Sequence, residues 1–245
     1  MGLMYVSFGK HSGASIDKSI SSLRKLGVDL PIICVGSRPT VSSQWIKWEG
    51  HEPWPEDKNE NSEPDQRFRA GYVKPFLYDL SPFDYTLYVD ADTEFQKNPL
   101  PGFKYLDNYD ICAPYCGKER TIGLVLEIIN LPFFTKLPIY RKIRVEIYDT
   151  NKLVGTHTPV MNSGVFFFRK SDDAKNFFQT WYKEWLYYKG WDEEYAWLRA
   201  EKKCPETKLL HLSMSWSNKL KNKETIIWHR MGSHEVLDPH TRPTK

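Results

Sequence analysis

Residues Asp84–Phe95 read DYTLYVDADTEF, an apolar run that ends in two acids separated by one alanine. Tyr85–Val89 is rich in aromatic and β-branched residues, the composition of a strand. A strand that has buried Leu87 and Val89 gains nothing from acids at its end unless a positive charge sits there. Alternation along an extended chain puts Asp90 and Asp92 on one side, about 6 to 7 Å apart between Cα atoms, with Ala91 facing away. Two carboxylates this close to a half-buried pocket repel, and one pKa rises unless a cation is shared. Oxygen donors favour Mg²⁺ or Mn²⁺, ions that keep open positions for phosphate oxygens. His229, at the end of another expected strand, adds a nitrogen and shifts the balance towards Mn²⁺. The competing reading of the acid pair is a solvated strand end and turn, where Asp is common.

The surrounding chain decides between them. Upstream, Met4–Phe8 reads as a strand, and the sequence leaves open whether Met1–Leu3 extend it. Ile16, Ile20, Leu23 and Leu26 recur at helical spacing with Gly27 as the stop. Pro31–Gly36 is an apolar strand of the kind buried on both faces. Strand, helix and strand in 36 residues make a βαβ unit, which predicts a parallel sheet with a right-handed crossover. Residues 51–67 are polar and proline-bearing, a loop. RFRAGYVKPFLYDL then regains helical periodicity, with a kink expected at Gly71 and Pro75.

Downstream, Asp110–Tyr115 and Val165–Phe168 read as strands, and RKIRVEIYD (141–149) as a further candidate strand. Asp172 or Asp173 opens a helix whose Phe177, Phe178, Trp181, Trp185 and Tyr188 stripe reads as core. Thr225–Trp228 is a last strand ending in His229. In open α/β sheets ligands bind beyond the carboxyl ends of the strands, where DAD, the approach to Asn162, and His229 are expected to meet.

Composition narrows the field. The 245 residues, 40% apolar and 15% aromatic, suffice for a large core. The net charge of +3 comes from 34 basic and 31 acidic residues in interspersed positions, which argues against a nucleic-acid binder. Cys34, Cys112, Cys116 and Cys204 read as reduced, buried thiols, and the Cys112/Cys116 spacing makes a zinc site improbable. No signal peptide, myristoylation signal or 18-residue apolar span is visible, so no transmembrane segment is expected and the chain reads as cytoplasmic. GKHSGAS (9–15) lacks the order of a Walker loop, and GxGxxG is absent. No glycine fingerprint therefore competes with DAD for a phosphate.

KPFLYDLSPFDYTLYVDADTEF, then MNSGVFFFRKSDDAKNFFQTW about seventy residues later, then GWDEEYAWL and IIWHRMG, together resemble a GT-A fold glycosyltransferase. The nearest flavour is the small metal-dependent nucleotide-sugar transferases of the glycogenin and galactosyltransferase type. The resemblance implies one α/β catalytic domain over residues 1–245 with a central, mostly parallel sheet flanked by helices. Residues 1–115 would bind the nucleotide, and 116–245 would bind the acceptor and complete the site.

It also implies a nucleotide-diphosphate sugar donor, most often UDP-linked, a saccharide, glycan or protein acceptor, and Mn²⁺ or Mg²⁺ as cofactor. Asp90 and Asp92 match the metal-binding DxD pair, with Asp90 also near the ribose, and His229 matches the histidine that completes the metal shell. Lys74 and Arg67 match donor-binding basic positions. Asn162, Ser163 and Gly164 match the segment lining the sugar subsite, and Asp192 and Glu193 the acidic pair near the transferring sugar. After His229 the pattern departs: related enzymes carry a glycine and lysine, whereas this chain offers Arg230 and Gly232, so the sequence leaves open which cation beyond the metal neutralises the leaving diphosphate, with Arg230 among the donor-binding candidates.

Several of these residues also have plain readings. Asp192 and Glu193 suit a helix start, Asn162 a turn, and Lys74 and Arg67 a surface helix. Trp45, Trp48 and Trp54 fit either an acceptor subsite or packing at the sheet edge. Residues 51–67 and 118–155 are candidate closing loops. A sugar-phosphate nucleotidyltransferase is the rival enzyme, disfavoured by the missing glycine-rich basic loop, and a non-catalytic carbohydrate- or protein-binding module is the other alternative.

Overall fold

The structure is a computed structural model and describes residues 1–8, 12–37, 39–49, 70–117, 120–132, 139–188 and 193–230. Its centre is a seven-stranded sheet built from β1 (Gly2–Ser7), β2 (Ile32–Gly36), β3 (Gln44–Lys47), β4 (Tyr85–Val89), β6 (Ile111–Pro114), β7 (Val165–Arg169) and β8 (Leu209–Leu212) in the order β3-β2-β1-β4-β7-β6-β8. β1 pairs in parallel with β2 and β4, β2 with β3, and β6 with β8. Only β7 runs the other way among these strands, antiparallel to β4 and β6. The sheet is therefore mostly parallel, as expected. Gly2 and Leu3 belong to β1, Leu3 facing Ile32 in the register.

Period-two alternation sorts the strand side chains onto two cores. Leu3, Tyr5, Leu87, Val89, Val165 and Phe167 face one side, under α1 (Ser12–Lys25). Met4, Val6, Tyr88, Phe166 and Phe168 face the other, under α5 (Asp172–Tyr188) and α6 (Glu193–Lys203). There Phe166 packs edge-on against Trp181 and Trp197, with ring centroids 6.0 and 5.3 Å away. Each such buried side chain contributes roughly 1.5–3 kcal/mol by leaving water, so both faces of the sheet are anchored. α1 buries Ile16, Ile20 and Leu23 and gives way to Gly27, whose φ of 73° ends the helix in the left-handed region.

The segment before β4 is helical over residues 70–80, with a 3₁₀ turn at Lys74–Phe76 where Pro75 interrupts the α-pattern, running into α2 (Leu77–Leu80). The expected kink lies there. Two expectations are corrected. RKIRVEIYD is not a strand: it lies within α4 (Ile139–Val154), because the buried positions Ile143, Glu146, Ile147 and Thr150 fall at helical intervals. Nor does His229 end a strand of the main sheet. It closes β9 (Ile227–His229), which pairs antiparallel with β5 (Thr93–Phe95) as a separate two-stranded ribbon, Thr93 facing His229. α3 (Ile122–Ile129) completes the helices used below.

Candidate active site

The acid pair lies one step beyond β4. The strand ends at Val89, and Asp90–Asp92 form the turn into β5, so the turn, and not strand alternation, sets the two carboxylates together. Thr93 closes that turn, its N–H and Oγ1 reaching Asp90 O at 3.3 and 2.8 Å. Thr93 Oγ1 is in turn 3.1 Å from Ser19 Oγ, itself 2.9 Å from the Tyr5 hydroxyl. This buried chain ties the turn to α1 and β1.

The β5/β9 ribbon delivers the histidine. His229 N–H donates to Asn218 O at 2.9 Å and Arg230 N–H to Asp92 O at 3.0 Å, which fixes the backbone of both. His229 Nε2 then lies 3.1 Å from Asp92 Oδ1 and 3.6 Å from Asp90 Oδ2. One ligand atom from each of Asp90, Asp92 and His229 lies within 4.8 Å of the others. On the far side of the ring, Nδ1 is 3.2 Å from Ser217 Oγ. A ligating imidazole needs its other nitrogen protonated and held, and Ser217 Oγ is placed to accept a hydrogen bond from that N–H. Two carboxylates and one imidazole are a donor set suited to a divalent cation with oxygen-rich coordination, so these residues fit the ion that the acid pair implied.

Because β7 is antiparallel, its start lies at the same edge as the end of β4, with Val165 opposite Val89. That register brings Asn162–Gly164 to the acids: Asp90 N–H donates to Gly164 O at 2.7 Å. Gly164 has to be glycine here, since a Cβ would stand 2.3 Å from His229 Cε1 and 2.6 Å from Asp90 Oδ2. Asn162 is buried, and its Oδ1 accepts from Gly164 N–H at 2.9 Å. Its side-chain oxygen therefore shapes the turn that admits this close approach.

Lys74 projects from the 3₁₀ turn into the same place. Only 4% of its side chain is exposed, and Nζ sits 3.1 Å from Asp90 Oδ1, 2.7 Å from Glu193 Oε1 and 3.4 Å from Ser163 Oγ. Ser163 Oγ also donates to Glu193 Oε1 at 3.0 Å. Burial alone would lower the Lys74 pKa, but the carboxylates of Asp90 and Glu193 outweigh it and hold the ammonium above the ordinary lysine value. Glu193 shows the converse: burial would raise its pKa, while Lys74 and the Ser163 hydroxyl hold it below the usual carboxylate range. Tyr88, whose pKa is pushed up first by burial and then by Asp90, donates its hydroxyl to Asp90 Oδ1 at 2.5 Å. Two carboxylates, Asp90 and Glu193, thus share one lysine.

Arg230 Nε reaches Asp92 O at 3.3 Å, which keeps its guanidinium beside the turn. The structure therefore brings together Lys74, Asp90, Asp92, Asn162, Ser163, Gly164, Glu193, His229 and Arg230. Arg67, Asp192, Trp54 and the loop 51–67 lie outside the described residues. Trp48 packs on Tyr72 and Phe76, with centroids 6.2 and 5.3 Å away, while Trp45 stays exposed. Sequence reasoning missed Tyr88 and Ser217. Tyr88 carried a signal, two residues before Asp90 in a strand, whereas Ser217 meets His229 only through the ribbon. A cavity of about 530 Å³ lined by Met1, Tyr85, Leu100 and Phe103 lies at the other end of β4, away from this cluster.

The sheet order, the acidic turn and the ribbon that returns a histidine to it define a GT-A-type glycosyltransferase fold with a cluster able to hold a divalent metal. The profile of the nucleotide-diphospho-sugar transferase family matches residues 79–215, more than half of the chain, and the protein belongs to that family. The matched span contains Asp90, Asp92, Asn162 and Glu193 and stops before His229.

Among solved structures the fold is similar to mouse xyloside xylosyltransferase 1 in its apo form, at 12% identity and a TM-score of 0.57 over 96% of this chain and 99% of that one. The apo bifunctional glycosyltransferase WbbM aligns at 12% identity and a TM-score of 0.56, over 94% of this chain and 46% of that one. The galactosyltransferase LgtC, in complex with donor and acceptor sugar analogs, aligns at 10% identity and a TM-score of 0.53 over 94% and 86%. Identities this low speak to the fold alone. No curated protein sequence matches.

Proposed function

We propose that the protein transfers a sugar from a nucleotide-diphosphate sugar, with uridine diphosphate the favoured carrier, to a hydroxyl of a saccharide, glycan or protein acceptor. The observation that carries this reading is the meeting of Asp90, Asp92 and His229 within 4.8 Å in a fold of the nucleotide-diphospho-sugar transferase family. Asp90, Asp92 and His229 would hold Mn²⁺ or Mg²⁺, which when bound supplies positive charge for the donor diphosphate.

In the reaction the bond from sugar C1 to the diphosphate oxygen breaks, a bond from C1 to the acceptor oxygen forms, and the acceptor hydroxyl gives up its proton. Negative charge grows on the departing nucleoside diphosphate, and preorganised positive charge lowers that barrier. Arg230, held beside the acidic turn, is the side chain for this task. Lys74 acts differently, since its ammonium is committed to Asp90 and Glu193; it fixes both carboxylates in place.

Glu193, ionised and braced by Lys74 and Ser163, is suited to accept hydrogen bonds from sugar hydroxyls. Asp192, one residue earlier in sequence, completes the acidic pair and is the candidate proton acceptor. Asn162 and Gly164 line the sugar subsite by shaping the turn at the start of β7.

The test is a panel of UDP- and GDP-sugars assayed for release of nucleoside diphosphate with and without Mn²⁺. Wild-type protein should release it only with the metal, and Asp92→Asn should fall at least about 100-fold, the scale of one lost electrostatic element in the transition state. Tight nucleotide binding with no release or transfer from any donor would favour the binding-module reading instead.

A further inference from the structure

α3 carries IGLVLEII, eight residues of which only Glu127 is charged. A helix apolar nearly all round is expected to be covered on every side. This one is not. It packs on α4, and Gly123 N–H donates to Thr156 O just beyond the end of α4. The start of α3 therefore lies against the end of α4, and with the short link between their other ends the two make a helical hairpin. On the outer side of that hairpin Leu124, Ile128 and Leu131 of the first arm and Val145 and Tyr148 of the second are 40–54% exposed. Leu124 and Ile128 recur at i, i+4 on one face of α3, and Leu131 follows just past its end.

Charge says what such a stripe would meet. Residues 118–155 hold seven Lys or Arg against four Asp or Glu, an excess equal to the +3 of the whole chain. Two of the four acids and one of the seven bases are engaged elsewhere: Glu146 pairs with the buried Arg199 at 3.0 Å, Asp149 accepts from the Tyr188 hydroxyl at 3.0 Å, and Arg120 lies 3.5 Å from Glu194. On α4, Lys152 Nζ sits 4.4 Å over the ring of Tyr148, and the sequence sets Arg141, Lys142 and Arg144 in the first turns of the same helix. An apolar stripe beside an excess of bases is the pattern of a helix that lies in the plane of an anionic bilayer interface. A second copy of this chain fits less well, because a two-fold contact sets the same patch against itself and brings bases to bases. No described helix is long and apolar enough to cross a membrane.

We infer that the α3–α4 hairpin docks the protein on an anionic lipid surface. The hairpin leaves the sheet after Cys116 and returns through Val160 and Asn162, whose backbones pair with Cys116 and Pro114. Docking there holds the carboxyl edge of the sheet, with the acidic turn, next to the bilayer. The inference stands on the hairpin alone and does not depend on which reaction the site performs.

The experiment is co-sedimentation of the full chain with extruded vesicles of phosphatidylcholine and phosphatidylglycerol at 70:30, and of phosphatidylcholine alone. Wild type should partition onto the anionic vesicles, at least about tenfold more weakly onto neutral ones and at 0.5 M salt. Leu124→Asp with Ile128→Asp should lower partition at least about tenfold while the thermal midpoint stays unchanged. If that double variant loses its fold, Lys152→Glu with Arg144→Glu, which changes only charge, should still lower it. Folded wild type that leaves anionic vesicles untouched, or partition that none of these substitutions alters, overturns the inference. So does a wild-type dimer in sedimentation velocity that the same apolar substitutions dissociate without any vesicle binding, since the stripe would then belong to a second copy.

Discussion

At the scale of single residues the site depends on how closely two backbone segments approach. Gly164 sits where a methyl group would collide with the ring of His229 and with an oxygen of Asp90, both rigidly placed. We expect Gly164→Ala to push the imidazole and the carboxylate apart. It should weaken Mn²⁺ binding at least about tenfold and cost about 1–3 kcal/mol of stability, as overpacking does. Thermal denaturation together with a Mn²⁺ titration checks both effects, and a variant that matches wild type in each would show that the cluster has slack the structure does not display.

The acids of this cluster were legible in the sequence because DAD at the end of an apolar strand has no packing rationale. Tyr88 and Ser217 were much less so. Their hydroxyls matter only through contacts that the fold creates, and a tyrosine in a strand or a serine after a tryptophan carries no chemical oddity of its own.

At the level of elements, Asp110 joins three strands just before β6 begins. Its side chain is 1% exposed. It accepts from Arg169 Nε at 2.9 Å, from Ser171 Oγ at 2.7 Å and from the Lys208 N–H at 2.9 Å, binding the end of β7 and the start of β8 to β6. Burial would raise its pKa, but these donors outweigh burial and hold it below the ordinary aspartate value. A folded-state pKa below the unfolded one contributes stability that is present above about pH 4 and is lost as pH falls through the folded value. Asp110→Asn should therefore be less stable at pH 7 by about 1.5–3 kcal/mol, the scale of hydrogen bonds to a charged group. The gap should close as pH drops below about 4. Urea unfolding of both proteins from pH 7 to 3 measures this, and a gap that stays constant with pH would contradict it.

Elements also show where sequence patterns mislead. In RKIRVEIYD the β-branched Ile143, Val145 and Ile147 alternate as in a strand. Yet Val145 is exposed while Ile143, Glu146, Ile147 and Thr150 are buried, a helical set in which Glu146 is neutralised by Arg199 from α6. A glutamate is a poor marker of a buried face until its partner is known. The β1–α1–β2 unit posed no such problem, since its apolar positions need no distant partner to make sense.

On the scale of the whole molecule, the site is an outcome of topology. A parallel sheet ends its strands at one edge, an antiparallel β7 returns its start to that edge, and a small ribbon outside the sheet carries His229 back to Asp92. The expectation that acids and histidine meet was sound in outcome, but the route differed. His229 arrives through a ribbon with β5, a pairing of three residues too short for sequence patterns to announce. The reversal of β7 was equally silent, because a strand buried on both faces looks the same in either direction. The resulting assembly brings the Asp90–Asp92 turn, Glu193 of α6, Lys74 of the 3₁₀ turn and His229 of the ribbon together from different elements, so the cluster exists only in the folded chain. Ligands that bind it must then raise the stability of the whole.

Calorimetric titration of Mn²⁺ into the full chain with UDP present tests the central claim most directly. We expect one saturable site per chain in wild type, and no detectable site in an Asp92→Asn variant that melts at the wild-type temperature. Equal metal affinity in the two proteins would contradict it.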